Sequence, residues 1–478
     1  MPRFCLPTSV RAKHATFGIA DADEVGRRHS VDPSDALIHG WPQPPAEGGA
    51  THAEPSGRSS GRARRVLTAA AIAVIILGAL SRLLWLEDME YKSDEREWVD
   101  TMVNLGHRPL SALAPESHHS GIPHSSGFFH FLRVISFASA NPLVMVGAIA
   151  GFSAAVMLLG RALGYRSPRD LVASAMMSTS LTLFVGTRKI WTPDLIPAWL
   201  ILGLVLWSMA ERARSPRLAA WLTGWAAFCF VMAPHMYLSA IPAAAALTLA
   251  LPLVWLLSKR TRPRRARMRA WVVGALAGWA TFIPYVIARH SVHASSRTYP
   301  PLSANVVGEV LQDALTLPSP LKVFLVYLWP SGQSMNANHP SLLFDLTLFW
   351  VLVAVMVWTP LFCAVLVRLL IRWRQTLGSP MIVASLLAWM GTAAGILFSR
   401  LGSYINYWLD AVPFVYFVMA WAAYQSRRSL FCRILRPALW VASLVTFVAT
   451  VHFAFLIHKS GGFPGEYGTS YRQQQDHR

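Results

Sequence analysis

Acidic side chains are scarce in this chain: 24 Asp and Glu stand against 43 Lys and Arg in 478 residues, and charged residues of both signs make up only 14%. So little charge over that length excludes a soluble domain of ordinary make-up. Cysteine is also sparse. Of the four, Cys229 and Cys363 fall inside apolar runs, Cys432 sits in a basic loop and Cys5 in the amino-terminal tail. No paired extracellular framework is visible, and the thiols read as inert. The chain has no Gly-rich phosphate loop beside a strand, no His-Glu-x-x-His pair and no Gly-x-Ser-x-Gly elbow. Nucleotide-loop, zinc-protease and serine-hydrolase chemistries therefore lack support.

What the chain has in quantity is apolar surface: 54% hydrophobic residues, with 19 Trp and 23 Phe, and a mean hydropathy of +0.39. This is the composition of a polytopic membrane protein. A net charge of +19 is of the size that nucleic-acid binders carry, but the basic residues form short clusters between apolar runs, the arrangement of cytoplasmic loops. Membrane lipids, and no nucleic acid, are the expected surroundings.

Residues 1–65 are rich in Pro, Gly, Ser, His and Arg and end in Arg62-Ala63-Arg64-Arg65. Without periodicity they read as a disordered basic cytoplasmic tail, or as an extension upstream of the true start. Val66 to Leu86 is long enough to cross a bilayer and is followed by no Ala-x-Ala-like cleavage site, so it reads as a retained helix rather than a signal peptide. Further spans are expected at 141–160, 171–187, 194–210, 218–234, 236–257, 270–288, 342–367, 381–399, 411–425 and 437–457, eleven in all. The transmembrane domain is thus expected over 66–457, with a carboxy-terminal tail at 458–478.

Loop charge sets the expected orientation. One alternate set of loops, including the run Lys259 to Arg269, holds twenty basic residues against two acids, Asp170 and Glu211, while the longer opposite loops hold about ten. The amino terminus is then cytoplasmic and the carboxyl terminus outside. Both long inter-helix segments, 87–140 and 289–340, fall on the outer face. Each contains an aromatic-rich amphipathic stretch suited to the interface: Phe128 to Phe137, interrupted by His130 and Arg133, and Leu321 to Trp329.

Against the general scarcity of acids, Glu87 to Asp100 packs seven carboxylates into fourteen residues. Either it solvates the mouth of a membrane helix or it is half of an active site. On the expected topology, Asp94, Glu95, Arg188, Lys189, Asp194, His235, Arg289, Asp345, Arg400 and Asp410 all lie at outer helix ends. Charges near hydrocarbon face a bundle interior or a water-filled cavity, so a mixed set at one face suits binding an anion and moving a proton in one place. Singly, each is also what a helix end ordinarily carries. Glu116, His118, His119 and His124 are of metal-ligand type but match no ligand spacing, and solvated loop histidines are the plainer reading.

One membrane helix, then Ser93-Asp94-Glu95-Arg96 in the first outer loop, then an interfacial helix, resembles the GT-C membrane glycosyltransferases. The branch it is most similar to is the protein O-mannosyltransferase and lipid A aminoarabinose transferase group, of the glycosyltransferase family 39 type. The family's Asp-Glu pair maps onto Asp94 and Glu95. Gly121 to Phe129 sits where such enzymes show a Pro-Pro-Leu-like approach to a juxtamembrane helix, and keeps only Pro123 of it. Thr187-Arg188-Lys189-Ile190-Trp191-Thr192-Pro193-Asp194 resembles the short outer loop whose Asp opens the fourth helix, and Ser399-Arg400 through Tyr404, Tyr407 and Trp408 to Pro413 is similar to a late Arg/Tyr-then-Pro pattern.

The resemblance covers roughly residues 66–425. It implies an all-α polytopic membrane protein with about eleven transmembrane helices and two long extracytoplasmic loops carrying juxtamembrane helices, in a bacterial inner or plasma membrane. The implied reaction moves a sugar from a polyprenyl-phosphate carrier to an acceptor hydroxyl on a cell-envelope glycan, lipid or protein, with inversion. Asp94 is expected as base and Glu95 as its positioning partner, Arg188, Lys189 and Arg400 on the carrier phosphate, and Asp194 on sugar hydroxyls. Tyr404, Tyr407, Trp191 and Trp408 are expected to stack on sugar or line the lipid groove, or to serve as interfacial anchors. A monophosphate carrier requires no metal or other cofactor. The rival readings are a secondary transporter, which should show internal repeats and midplane charges that this chain lacks, and an O-antigen ligase or polymerase, which should show paired Arg residues in a large late outer loop.

Overall fold

The computed structural model describes residues 57–105, 113–116, 123–160, 167–257, 265–290, 303–330, 342–399, 403–426, 429–463 and 468–476. By its internal contacts the chain divides into Met1–Ser59 and Ser60–Arg478. The second unit is helical almost throughout, and among the described residues eight helices are long and apolar enough to cross a membrane. The protein is an all-α, multi-pass membrane protein.

The first helix, α1 (Gly57–Leu80), starts earlier than expected. Gly57–Arg65, assigned to the tail, holds four arginines, two glycines, two serines and one alanine and continues the helix ahead of the apolar run; residues 1–56 lie outside the described residues. After two short 3₁₀ turns comes α2 (Ser93–Leu105), which carries the Asp-Glu pair in its first turn, where carboxylates favour the helix dipole. The amphipathic stretch forms α3 (Gly127–Ser136), burying Phe128, Phe129 and Leu132 while Val134 stays exposed.

Next follow α4 (Pro142–Leu159), α5 (Pro168–Thr179) and α6 (Leu181–Val185). The expected span at 171–187 is thus broken at Ser180, whose side chain caps α6 by accepting from the Leu183 N–H at 3.3 Å. The Arg82 guanidinium fills the break, donating to the carbonyls of Met177 and Ser178 left open where α5 ends. The bundle continues with α7 (Ile196–Arg212), α8 (Pro216–Met236), α9 (Ile241–Leu257), α10 (Arg265–Thr281) and α11 (Ile283–His290). Helices α8 and α10 approach so closely that a Cβ on Gly274 would sit 2.0 Å from the Gly224 carbonyl oxygen, so only glycine fits there.

The second long loop contains α12 (Ala304–Thr316), which the pattern did not single out, then α13 (Leu321–Val323) running into a π turn at Phe324–Leu328. Last come α14 (Leu342–Ile371), α15 (Pro380–Ser399), the entirely buried α16 (Val412–Ala423) and α17 (Leu430–Ser460). Helix α17 stops at Gly461, whose left-handed φ of 71° lets its N–H reach back to the Ile457 carbonyl at 2.8 Å.

The carboxy-terminal segment folds back on the first loop. Ser470 pairs antiparallel with Glu90, the Tyr471 N–H donates to the Met89 carbonyl at 3.1 Å, and Tyr91 meets Tyr471 edge-on at 5.0 Å. Strand structure among the described residues is limited to this bridge and two small hairpins, Leu113–Glu116 with Pro123–Ser125 and Gly462–Phe463 with Gly468–Thr469.

Candidate functional site

Three stretches far apart in sequence meet at one end of the bundle: the acidic loop before and within α2, the turn after α6, and the last turns of α17. The turn after α6 arises because Pro193 and Pro197 cannot donate into a continuous helix, so the chain makes a 3₁₀ turn at Thr192–Leu195 before α7. Asp194 stabilises this turn, its Oδ2 accepting from the Trp191 N–H at 3.0 Å; its Oδ1 makes no hydrogen bond among the described residues. The same turn aims Arg188 and Lys189 inward, and both are buried.

Lys189 lies at the centre. Its Nζ sits 2.8 Å from Glu90 Oε2 and 3.4 Å from the Tyr327 hydroxyl of the second long loop, and 4.6 Å over the Trp191 ring. Burial alone tends to discharge an amine. The Glu90 carboxylate, helped by Tyr327, Asp194 and Glu95, outweighs that and holds Lys189 charged, well above its ordinary value. Glu90 is shared, its Oε1 lying 2.5 Å from Lys92 Nζ.

Glu95 faces this pair from α2. It occupies the third helical position and closes half a capping box, its Oε2 accepting from the Lys92 N–H at 2.9 Å. The side chain is only 3% exposed. Burial, with the Glu90 charge adding to it, pushes its carboxyl up to about 7, against the opposing pull of Lys189 and the backbone N–H groups. Asp94, its neighbour, is half-buried and turned away by helical geometry. The two carboxylates of the expected pair therefore occupy different surroundings.

Arg188 flanks the amine. Its Nη2 donates to the carbonyls of Leu84 and, at 2.7 Å, Trp85, and the guanidinium lies 4.7 Å over the Phe184 ring. A small cavity of about 10 Å³, room for about one water, opens here, lined by Glu90, Arg188 and Lys189 on its polar side and by Phe184, Val185, Phe453 and Ile457 on its apolar side. Two cations, a buried carboxylate and apolar walls make a lining suited to a small anionic group, while Glu95, the carboxylate titrating near neutrality, stands outside that lining.

The remaining expected residues separate. Tyr407 is buried and stacks on Tyr237, with ring centroids 5.9 Å apart at 14°; Tyr404 is 53% exposed and meets Tyr407 edge-on at 5.6 Å. Neither lines the cavity, although the 3₁₀ turn Ile405–Trp408 packs against Thr192–Leu195. In the same segment the Trp408 indole donates to Ser403 at 2.9 Å, Ser403 donates to Asp313, and Lys322 pairs with Asp313 at 2.7 Å, tying α12 and α13 to the late loop. Arg400, His118 and His119 lie outside the described residues, and Glu116 and His124 sit on the two strands of the first hairpin. His235 is buried, its Nε2 within 3.0 Å of the Thr281 hydroxyl and 3.3 Å of the Gly278 carbonyl. Asp410 is fully buried behind the late loop.

Glu90 is a residue that the sequence does not single out among the seven acids of Glu87 to Asp100. No spacing marks it, because it stands outside α2 and is aimed by the turns at Ser81–Leu83 and Leu86–Asp88. Asp88 is another. It is buried, with His458 Nδ1 at 2.7 Å and Arg472 Nη2 at 3.2 Å. Glu87, Asp88 and His458 are of metal-ligand type and lie within 4.8 Å of one another, but the cation that Asp88 and His458 gather is the Arg472 guanidinium. Scanned against protein-family models and against curated proteins, the chain matches no family model and no curated sequence.

Proposed function

We propose that this protein is an integral-membrane glycosyltransferase of GT-C type that moves a sugar from a polyprenyl-phosphate carrier to the hydroxyl of an envelope glycan, lipid or protein. The observation that carries the reading is the convergence of the buried first-loop carboxylate Glu90 and the interhelical cations Arg188 and Lys189 on a single small cavity with aromatic and aliphatic walls, with Glu95 buried close enough to feel the charges of Glu90 and Lys189. In this reading Glu95, rather than Asp94, accepts the acceptor's hydroxyl proton. That oxygen attacks the anomeric carbon from the face opposite the phosphate, giving inversion. The anomeric C–O bond breaks with its electron pair leaving on the carrier phosphate, whose charge Arg188 and Lys189 stabilise in a site sheltered from bulk water. Glu90 keeps Lys189 charged and in place, and Asp194 holds the loop. The chemistry requires no metal.

Eleven crossings with the site outside agree with the ion pairs. The Asp170–Arg212 bridge, at 2.8 Å, joins the start of α5 to the end of α7, and the Glu90–Lys189 bridge lies beyond the other end of α5 and α6. The broken pair α5–α6 is then a full crossing. Likewise α16 runs from the turn beside Thr192–Leu195 to Ala423, whose carbonyl accepts from Arg436 at 2.9 Å near the start of α17. On this reading α1 and these two join the eight long helices to make eleven crossings. The Asp170–Arg212 end carries the basic loops, so the positive-inside rule supports a cytoplasmic location for it and an extracytoplasmic one for Glu95.

The test is transfer in vesicles that hold the purified protein and a polyprenyl-phosphate sugar, with Glu95→Gln as the inactive control. Uptake of a free solute without any glycosyl product would replace this reading with transport.

A further inference from the structure

Among the described residues one non-glycine residue has a left-handed backbone: Trp85, at φ 46° and ψ 56°. L side chains adopt this region at a cost, and a bulky aromatic does so only where its surroundings over-determine it. The constraints here can be traced. The Trp85 ring stacks on the His458 imidazole with centroids 4.5 Å apart at 16°, and contacts Phe455 at 6.0 Å. His458 is fixed in turn, Nδ1 facing the buried Asp88 carboxylate at 2.7 Å. Arg472, from the short helix Tyr471–Asp476, closes the set by reaching Asp88 Oδ1 at 3.2 Å, His458 Nδ1 at 3.3 Å and the His458 carbonyl. What the left-handed turn achieves is to point two consecutive carbonyls, of Leu84 and Trp85, at the Arg188 guanidinium beside the cavity.

We propose that Arg472 is a positioning residue for the anion-binding site: through Asp88, His458 and the left-handed Trp85 it fixes the carbonyl pair that orients Arg188. This rests on the reading of Arg188 as a phosphate-binding group. The carboxy-terminal segment is then a working part of the site, although it touches no reacting atom. Arg188 lies 4.7 Å over Phe184, so the guanidinium is fixed by that ring and, at its Nη2 edge, by the two carbonyls. Loosening the carbonyls leaves the charge in the cavity but not its direction, and a guanidinium recognises phosphate by direction as well as charge.

The experiment is a binding titration of the full chain in lipid nanodiscs with farnesyl phosphate, with the thermal midpoint recorded for each variant. Arg472→Ala is expected to weaken binding about tenfold and Arg472→Lys to restore most of it, the size of one misdirected charge-assisted contact. Gln474→Ala cuts a different contact of the same segment, to the Tyr91 carbonyl, and is expected to leave affinity unchanged. Should Arg472→Ala fail to fold, His458→Gln removes the ring that stacks on Trp85 while keeping a hydrogen-bonding amide, and the same loss is expected. Unchanged affinity in the folded variant, or equal weakening by Gln474→Ala, overturns the proposal. Because transfer is not the readout, a protein that binds farnesyl phosphate and transfers nothing refutes the glycosyltransferase and leaves the positioning role of Arg472 in place. A wild-type chain that does not bind the phosphate refutes both.

Discussion

The two ends of the bundle each bury an ion cluster, built on opposite plans. At the basic-loop end one carboxylate, Asp170, serves two arginines, Arg212 at 2.8 Å and Arg169 at 3.2 Å, whose side chains are 34% and 24% exposed. Asp170 also sits in the first turn of α5, whose N-cap Ser167 accepts from its N–H at 3.2 Å. Acid outnumbered by cation, cations reaching water and a helix dipole of the right sign make a clamp. At the other end Glu90 takes both amines, Lys189 and Lys92, in a place where Glu90 and Lys189 are each 5% exposed, and Glu95 has neither as a direct partner. Burial, with the Glu90 charge adding to it, leaves the Glu95 carboxyl titrating near neutrality. A stability clamp has no use for such a group; proton transfer does.

The largest expected effect separates the ends by chemistry. Glu95→Gln should lower transfer by about 10²–10⁴-fold, the usual worth of a general base. It should not lower the thermal midpoint at pH 8. The sign follows from the raised carboxyl: in the unfolded chain Glu95 ionises near 4.5, in the folded protein near 7. The folded state therefore binds the extra proton between those values, and stability falls as pH rises through that window. Gln removes this dependence. In the active protein log kcat/KM should climb with pH up to about 7 and then level, and a rate indifferent to pH below 7 would free Glu95 from the mechanism.

Lys189→Met comes next and should damage both stability and turnover. It takes one of two amines from the buried Glu90 and leaves it Lys92 alone, at a cost of about 1.5–3 kcal/mol. Adding Glu90→Gln should restore most of the thermal midpoint, since a neutral pair packs without an unpaired charge, but none of the activity. A double variant that regains transfer would reduce the pair to a clamp and erase the contrast with Asp170.

Asp170→Asn probes the contrast from the other end. Arg169 and Arg212 keep access to water, so the loss should be smaller, about 1–2 kcal/mol, and turnover per folded molecule should stay at the wild-type level. Detergent melting curves set beside specific activity separate the two quantities.

Much of this contrast is written in the chain, though unevenly. The apolar runs and the alternation of basic loops are local patterns, and they correspond to α4, α7 through α10, α14, α15 and α17 to within a few residues at most edges. The break at Ser180 is not local: it depends on Arg82 reaching the open carbonyls of α5 from another segment. The same limit applies to the site. The Asp-Glu pair draws attention by position, but which member faces inward is set by the register of α2, and Glu95 is the one that also caps it. Glu90 and Arg472 carry no signal of their own, since their roles come from a β-bridge and an ion pair between the first loop and the far end of the chain.

Asp410 tests how far the outer cluster extends. It is fully buried just before α16, its Oδ1 accepting from the Thr392 hydroxyl at 3.1 Å while Oδ2 makes no hydrogen bond among the described residues. Burial, opposed by the Thr392 hydroxyl and nearby backbone N–H groups, holds its carboxyl well above the ordinary range. Asparagine has nearly the same shape and no charge. Asp410→Asn should therefore cost less than about 1 kcal/mol and flatten the decline in stability that the raised carboxyl imposes as pH rises. Transfer should continue unchanged. If Asp410→Asn instead abolishes transfer without moving the melting curve, the reacting groups reach behind the late loop, and Glu95 becomes one of two carboxylates through which the site handles protons.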